Sequence, residues 1–167
     1  MARAETKKTN ACRELDKLGI PYELKSYEVD ESDLSAATVA RKVGLPLAQV
    51  FKTLCLRSDD GSILLAVLPG DCELDLKASA RAARRKSVTP VRVDELQRLT
   101  GYIRGGVTAL ACKKPYPVFV DSRAEACELI SVSAGQRGLQ IWLTPRDYLR
   151  ATHATVAPIA RQLLNEE

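Results

Sequence analysis

VFKTLCLRSDDGSILLAVL, residues 50–68, sets the architecture of this chain. Two β-prone runs, Val50 to Arg57 and Ser62 to Leu68, flank the turn-rich tetrad Ser58, Asp59, Asp60 and Gly61, which predicts a hairpin. Ile63 to Leu68 is apolar on both faces, the pattern of a central strand covered from both sides. The first run alternates: Val50, Lys52, Leu54 and Leu56 share one face, and Phe51, Thr53, Cys55 and Arg57 share the other.

Working outward, Ala11, Leu15 and Leu18 recur at helical spacing behind a Thr9 or Asn10 cap, and Gly19 stops that helix before Pro21. Pro21 to Val29 reads as a strand, and Ser35 begins a second helix that Gly44 and Pro46 close. Leu74 to Ala83 is expected to be helical and basic, and Val93 to Leu99 a short helix. Val118 to Val120, Leu129 to Ser133 and Leu139 to Leu143 are expected as strands. Pro145 suits the first turn of a last helical region that is interrupted near Pro158. No repeat, linker or low-complexity tract divides the chain. The elements predict an α+β fold, a mixed sheet or barrel flanked by helices, as a single domain over residues 1–167.

Composition narrows the function classes. No apolar run reaches the roughly 18–20 residues that span a bilayer, and Met1 to Lys8 has no apolar core of a leader, so a cytoplasmic protein is expected. Five cysteines, Cys12, Cys55, Cys72, Cys112 and Cys127, are widely spaced without a Cys-x-x-Cys pair, and His153 is the one histidine. Neither a disulfide framework nor a metal site is expected, and no cofactor motif is present. The net charge of +4 is modest, but Lys77, Arg81, Arg84, Arg85, Lys86 and Arg92 form a stretch without acids. That run suits contact with phosphates, or is simply a solvated helix face.

Three groups of residues carry candidate chemistry. Lys52 interrupts an apolar strand row; buried there, its ammonium needs an anionic or hydrogen-bonding partner, whereas at a frayed strand start it would reach water. Gly101 to Thr108 contains Gly105-Gly106, which either exposes successive backbone N–H groups to a ligand or forms a plain turn. Ser131 to Gly138 is a polar glycine turn between two strands. No Gly-x-Ser-x-Gly elbow, P-loop or HExxH motif occurs, and His153 is poorly placed for a general base. A hydrolase built this way must rely on positioning, backbone donors and groups of its substrate.

These groups, in order, resemble the YbaK/EbsC family. The carrying motifs are Phe51-Lys52-Thr53-Leu54, Leu74-Asp75-Leu76-Lys77, Thr100-Gly101-Tyr102 followed by Gly105-Gly106, Lys113-Lys114 before Val118 to Asp121, and Ser133-Ala134-Gly135-Gln136-Arg137-Gly138-Leu139. The resemblance spans essentially the whole chain. It implies a mixed β-barrel or sheet surrounded by helices, related to the editing domain of prolyl-tRNA synthetases. It implies a trans-acting deacylase for mischarged tRNA, foremost Cys-tRNA(Pro) or Cys-tRNA(Cys), in which the substrate's own thiol attacks the ester. Lys52 matches the family's signature lysine, and Gly105 and Gly106 would place donors around the aminoacyl carbonyl. Tyr27, Thr53, Thr108, Ser133 and Gly135 are the candidate substrate-binding residues. Lys77, Arg81, Arg84, Arg85 and Lys86 are candidates for tRNA, the expected partner, with prolyl-tRNA synthetase a second. Thr108, Ala109 and Ala111 stand where the family usually has Ser, Pro and Gly, and Gln136 where lysine is common. A deacylase for another small amino acid such as alanine, and a non-catalytic tRNA- or synthetase-binding module, are the alternative readings.

Overall fold

The computed structural model describes residues 8–163. The expectation about a leader falls largely on residues 1–7, outside the described part. Thr9 caps α1 (Asn10–Lys17), its hydroxyl accepting from the Cys12 N–H, and Ala11, Cys12 and Leu15 are buried along one stripe. After β1 (Glu23–Ser26), Ser35 caps α2 (Ala36–Val43) and the left-handed Gly44 ends it. The hairpin follows as β2 (Phe51–Ser58) and β3 (Ile63–Pro69). Next come β4 (Cys72–Leu74), α3 (Leu76–Ala82), β5 (Val88–Pro90) and α4 (Leu96–Thr100). The chain continues through β6 (Val118–Asp121), β7 (Ile130–Ser133), β8 (Leu139–Leu143), α5 (Pro145–Thr152), β9 (Thr155–Ala157) and β10 (Ala160–Gln162).

Among the described residues ten strands form three sheets, with order β5-β2-β3-β6-β9 in the largest. β3 is its central strand, as its two-faced apolar run requires. β2 pairs antiparallel with β3 and β5, whereas β3–β6 and β6–β9 are parallel, so the sheet is mixed. β1-β8-β7 is a second, antiparallel sheet, joined to the first by a bridge between Val50 and Ser131, and β10-β4 is a third. The strands therefore form open sheets, without the closed barrel that was one form of the expectation.

The alternation of β2 divides the core. Phe51 and Cys55 pack with Leu65, Val67, Val132 and Ile141 between the two larger sheets, closed by α1 and Tyr148. Leu54 and Leu56 belong to a second cluster with Ala80 of α3, Val88 and Ile159 on the opposite face. Tyr27, Val39, Ala40 and Val50 make a third beneath α2.

Two sequence expectations need correction. Leu74 lies in β4 and not in a helix; the helix starts beyond it because the Asp75 carboxylate accepts from the Ala78 N–H and caps it there. The C-terminal region is helical only to Thr152, after which His153 takes a left-handed φ of 54° and two short strands follow. Thr155 and Val156 are β-branched and Pro158 donates no hydrogen bond, so sheet edges accommodate them better than a helix.

Candidate active site

Lys52 ends up at the edge of a covered row. Its row-mates Leu54 and Leu56 pack into the cluster that includes Ala80 of α3, and Lys52, outside that cluster, lines a cavity of about 580 Å³. The ammonium makes no ion pair among the described residues, and burial lowers its pKa, partly offset by the nearby Cys72, Asp71 and Glu73. An unpaired, partly desolvated cation is expensive unless a ligand anion completes it.

The cavity runs along an open stretch of β2. On that side β2 is covered by β5 only from Leu56 to Ser58, and by the bridge at Val50, which leaves Lys52 to Leu54 without a neighbouring strand. Leu34 and Val39 form one apolar wall and Val91, Val93 and Leu96 another, while Thr53, Ser133 and Gln140 supply polar groups.

The structure thus brings Lys52, Thr53, Gly105 and Ser133 to one cavity. Gly105, at φ 87°, lies so close to Leu34 and Arg137 that an added Cβ would sit 3.3 Å from both. Gly106 is buried behind it, packed on the Gln136 backbone, and its N–H donates to the Ile103 carbonyl at 2.9 Å. That amide is already used. The amides of Gly105 and Val107, both on the cavity wall, bond to nothing among the described residues. Thr108 is wholly buried behind the loop, Tyr27 packs under α2 against Val50, and Gly135 lies against the Tyr102 ring. None of these three lines the cavity.

Lys77, Arg81, Arg84, Arg85 and Lys86 are exposed on α3 and the turn after it. Arg85 pairs with Asp60 at 2.6 Å, and the other four make no ion pair among the described residues. Two cavity residues, Arg104 and Gln140, and Arg137 beside them carried no role in the expectations from sequence. Arg104 lines the cavity, Arg137 donates to the Arg104 carbonyl at 2.8 Å, and Gln140 is a buried lining residue. Both arginines lie inside the two glycine motifs, so a charge count within those motifs was the available signal.

No side chain at the cavity is set up as a nucleophile. Cys55 lines it, but burial pushes its thiol up to about 11, so it stays protonated at neutral pH. Ser133 has no base beside it, its hydroxyl accepting from the Gly135 N–H at 3.2 Å. His153 is exposed at a different hollow. What the site offers is cations, backbone donors and an apolar enclosure.

A fold with two packed sheets, a glycine loop and a lone lysine in a pocket defines a class, and sequence comparison gives it. The chain belongs to the aminoacyl-tRNA editing domain family, whose profile matches residues 31–151. It is 38% identical over 160 residues to the Enterococcus faecalis protein named "Putative Cys-tRNA(Pro)/Cys-tRNA(Cys) deacylase EbsC", covering 95% of this chain and 98% of that one. Among solved structures, a hypothetical protein superposes with a TM-score of 0.84 at 24% identity, over 92% of this chain and all (100%) of the other. A "putative trans-editing enzyme for prolyl tRNA synthetase" gives 0.79 at 23% identity, over 93% and 99%. These two likenesses show the shared fold.

The end of the glycine loop carries backbone strain. Ala111 adopts φ 52°, a left-handed conformation that strains a Cβ. Ala111→Gly is expected to raise stability by about 0.5–1 kcal/mol, relief of strain outweighing the greater entropy of glycine. A higher urea midpoint at unchanged slope would show it.

Proposed function

We propose that this protein is a freestanding, single-domain aminoacyl-tRNA deacylase that clears mischarged tRNA, with Cys-tRNA(Pro) its foremost substrate. The carrying observation is the half-buried Lys52, which makes no ion pair among the described residues, at a cavity that also presents Gly105 and Ser133. Family membership and the name borne by the Enterococcus faecalis relative support the reading.

In this reading Lys52 and Arg104 hold the ribose-phosphate end of the acceptor strand. The free amides of Gly105 and Val107 receive the carbonyl oxygen as negative charge develops on it. Thr53 and Ser133 border the aminoacyl group. The cysteine's own sulfur attacks the acyl carbon, the acyl–oxygen bond breaks, and the thiol proton passes to the departing ribose oxygen, giving a thiolactone and free tRNA. Well-oriented intramolecular attack reaches effective molarities of roughly 10⁵–10⁸ M, enough to replace a protein nucleophile. The site of action is the cytoplasm, and prolyl-tRNA synthetase is the proposed recruiting partner.

The purified protein incubated with Cys-tRNA(Pro), Ala-tRNA(Pro) and Pro-tRNA(Pro) tests this. Release of cysteine ahead of alanine, with proline retained, is expected; alanine ahead of cysteine would redirect the substrate, and binding without release of any amino acid would mark a non-catalytic module.

The acceptor stem is expected to run along α3. Neutralising Lys77 and Arg81 together should cut the slope of log affinity against log salt by about 1.4–1.8, since each phosphate contact contributes roughly 0.7–0.9. An unchanged slope, measured by titration in rising salt, would place the tRNA on another face.

A further inference from the structure

Ser133 and Gln140 face each other across the β7–β8 ladder, and both line the cavity. Gln140 is only 5% exposed, and its Oε1 accepts from the buried Ser131 hydroxyl at 2.8 Å. That bond fixes the carboxamide so that its NH₂ end is free, and no described residue accepts from it. That NH₂ end keeps access to the cavity, where an acceptor on the ligand would pair with it.

The charged side chains that line the cavity share one sign. Among the described residues, those lining the cavity include two charged ones, both cations, Lys52 and Arg104. Lys25, opposite Gln140 on β1, pairs with Glu23 at 3.1 Å and lies 4.5 Å over the Trp142 ring. Arg137 adjoins Arg104. The surrounding carboxylates are bound elsewhere. Asp33, before α2, accepts from Ser35 and Thr38, which hold its pKa down to about 2. Asp71 accepts from Gln162 at 3.2 Å, and Glu73 pairs with Arg161 at 2.7 Å. An α-ammonium placed against Ser133 and Gln140 would meet cations and an N–H donor, with no carboxylate among the described residues that line the cavity. An uncharged amine would meet a donor suited to its lone pair, and α-amino groups lose their proton near neutrality, at about pH 7.7–8.0.

We propose that the cavity takes the substrate's α-nitrogen uncharged, Gln140 donating an amide N–H to it, and that aminoacyl esters acylated on that nitrogen are substrates as well. This rests on the reading of the protein as a deacylase whose aminoacyl end lies against Ser133. An acylated nitrogen carries no charge, its acyl carbonyl gives Gln140 an acceptor, and a cavity of about 580 Å³ exceeds what a cysteinyl group fills. The bond cleaved is the same acyl–oxygen bond.

Three measurements test it. Wild-type protein should cleave N-acetyl-Cys-tRNA(Pro) within about tenfold of the rate for Cys-tRNA(Pro) at neutral pH, the amine of the latter being largely ionised there. The non-hydrolysable 3′-alanylamino-3′-deoxyadenosine should inhibit more strongly as pH rises, approaching tenfold per unit below the pKa of its amine and levelling above it, while its N-acetyl form stays flat. Gln140→Glu should shift the preference at least tenfold towards the free amine, by supplying the missing carboxylate. Inhibition that weakens with rising pH, an acetylated ester left intact by an enzyme that cleaves the free one, or a preference unmoved in Gln140→Glu would each overturn the proposal. Should wild-type protein cleave neither ester, the deacylase reading itself fails and this inference falls with it.

Discussion

Lys52→Ala and Lys52→Met are each expected to lower deacylation of Cys-tRNA(Pro) by at least about 100-fold, the scale of losing one preorganised electrostatic contact at a reacting centre. Stability should move the other way. The native ammonium is half-buried and carries a desolvation cost without an ion pair among the described residues, so the methionine variant should be as stable as wild type or more so. The sign with pH follows from the lowered pKa. The unfolded chain binds a proton up to the ordinary lysine value near 10.5, while the native amine releases it earlier. The cost is full at neutral pH and vanishes as pH rises from the lowered pKa towards that ordinary value. Any advantage of Lys52→Met should therefore be present at pH 7 and disappear in strong alkali. Wild-type turnover in both variants would remove Lys52 from the site, and a lowered urea midpoint in Lys52→Met would mean that it serves the fold.

The hairpin at residues 50–68 was legible because the turn-rich tetrad Ser58 to Gly61 separates two β-prone runs, the second an apolar run that only a covered strand tolerates. The first two helices were legible from Thr9, Ser35, Gly19 and Gly44, since caps act within a turn of the residues they bond. β4, β9 and β10 were not. Each is three residues long, too short to show a period, and each exists because a distant strand or side chain receives it. The site divides in the same way. Lys52 stood out by breaking a local pattern. Gln140 reads in sequence as one polar residue of an alternating strand, and only the fold reveals its unpartnered NH₂ and the cationic surroundings. The glycine pair was visible, but that Gly106 spends its N–H on Ile103 while Gly105 and Val107 keep theirs depends on backbone torsions that composition does not encode.

The folding counterpart of Lys52 is Asp121, and Asp121→Ala is expected to cost about 3 kcal/mol, the loss of several charge-assisted hydrogen bonds from a buried carboxylate. Asp121 ends β6 with no exposed surface. Its Oδ1 accepts from the backbone N–H groups of Ile159 and Ala160, each at 3.0 Å. Its Oδ2 accepts from the Arg123 N–H at 3.1 Å and the Arg123 guanidinium at 3.3 Å, and that guanidinium also donates to the Ala160 carbonyl at 2.9 Å. One carboxylate thus clamps the connection between β9 and β10 to the central sheet, and β10 in turn pairs with β4 just beyond Asp71, beside Lys52. Alanine leaves the buried Ile159 N–H without an acceptor. Asparagine can still accept from Ile159 and Ala160, but its NH₂ then meets the Arg123 donors, so an intermediate loss of about 1–2 kcal/mol is expected. For a domain of this size each kcal/mol corresponds to roughly 2–4 °C in Tm, so Asp121→Ala should melt about 6–12 °C below wild type, with Asp121→Asn in between. Equal melting of all three proteins would show that β9 and β10 are held without the carboxylate. Deacylation by Asp121→Ala, measured well below its melting point, should fall much less than in Lys52→Ala, because Asp121 steadies the wall behind the lysine and touches no substrate.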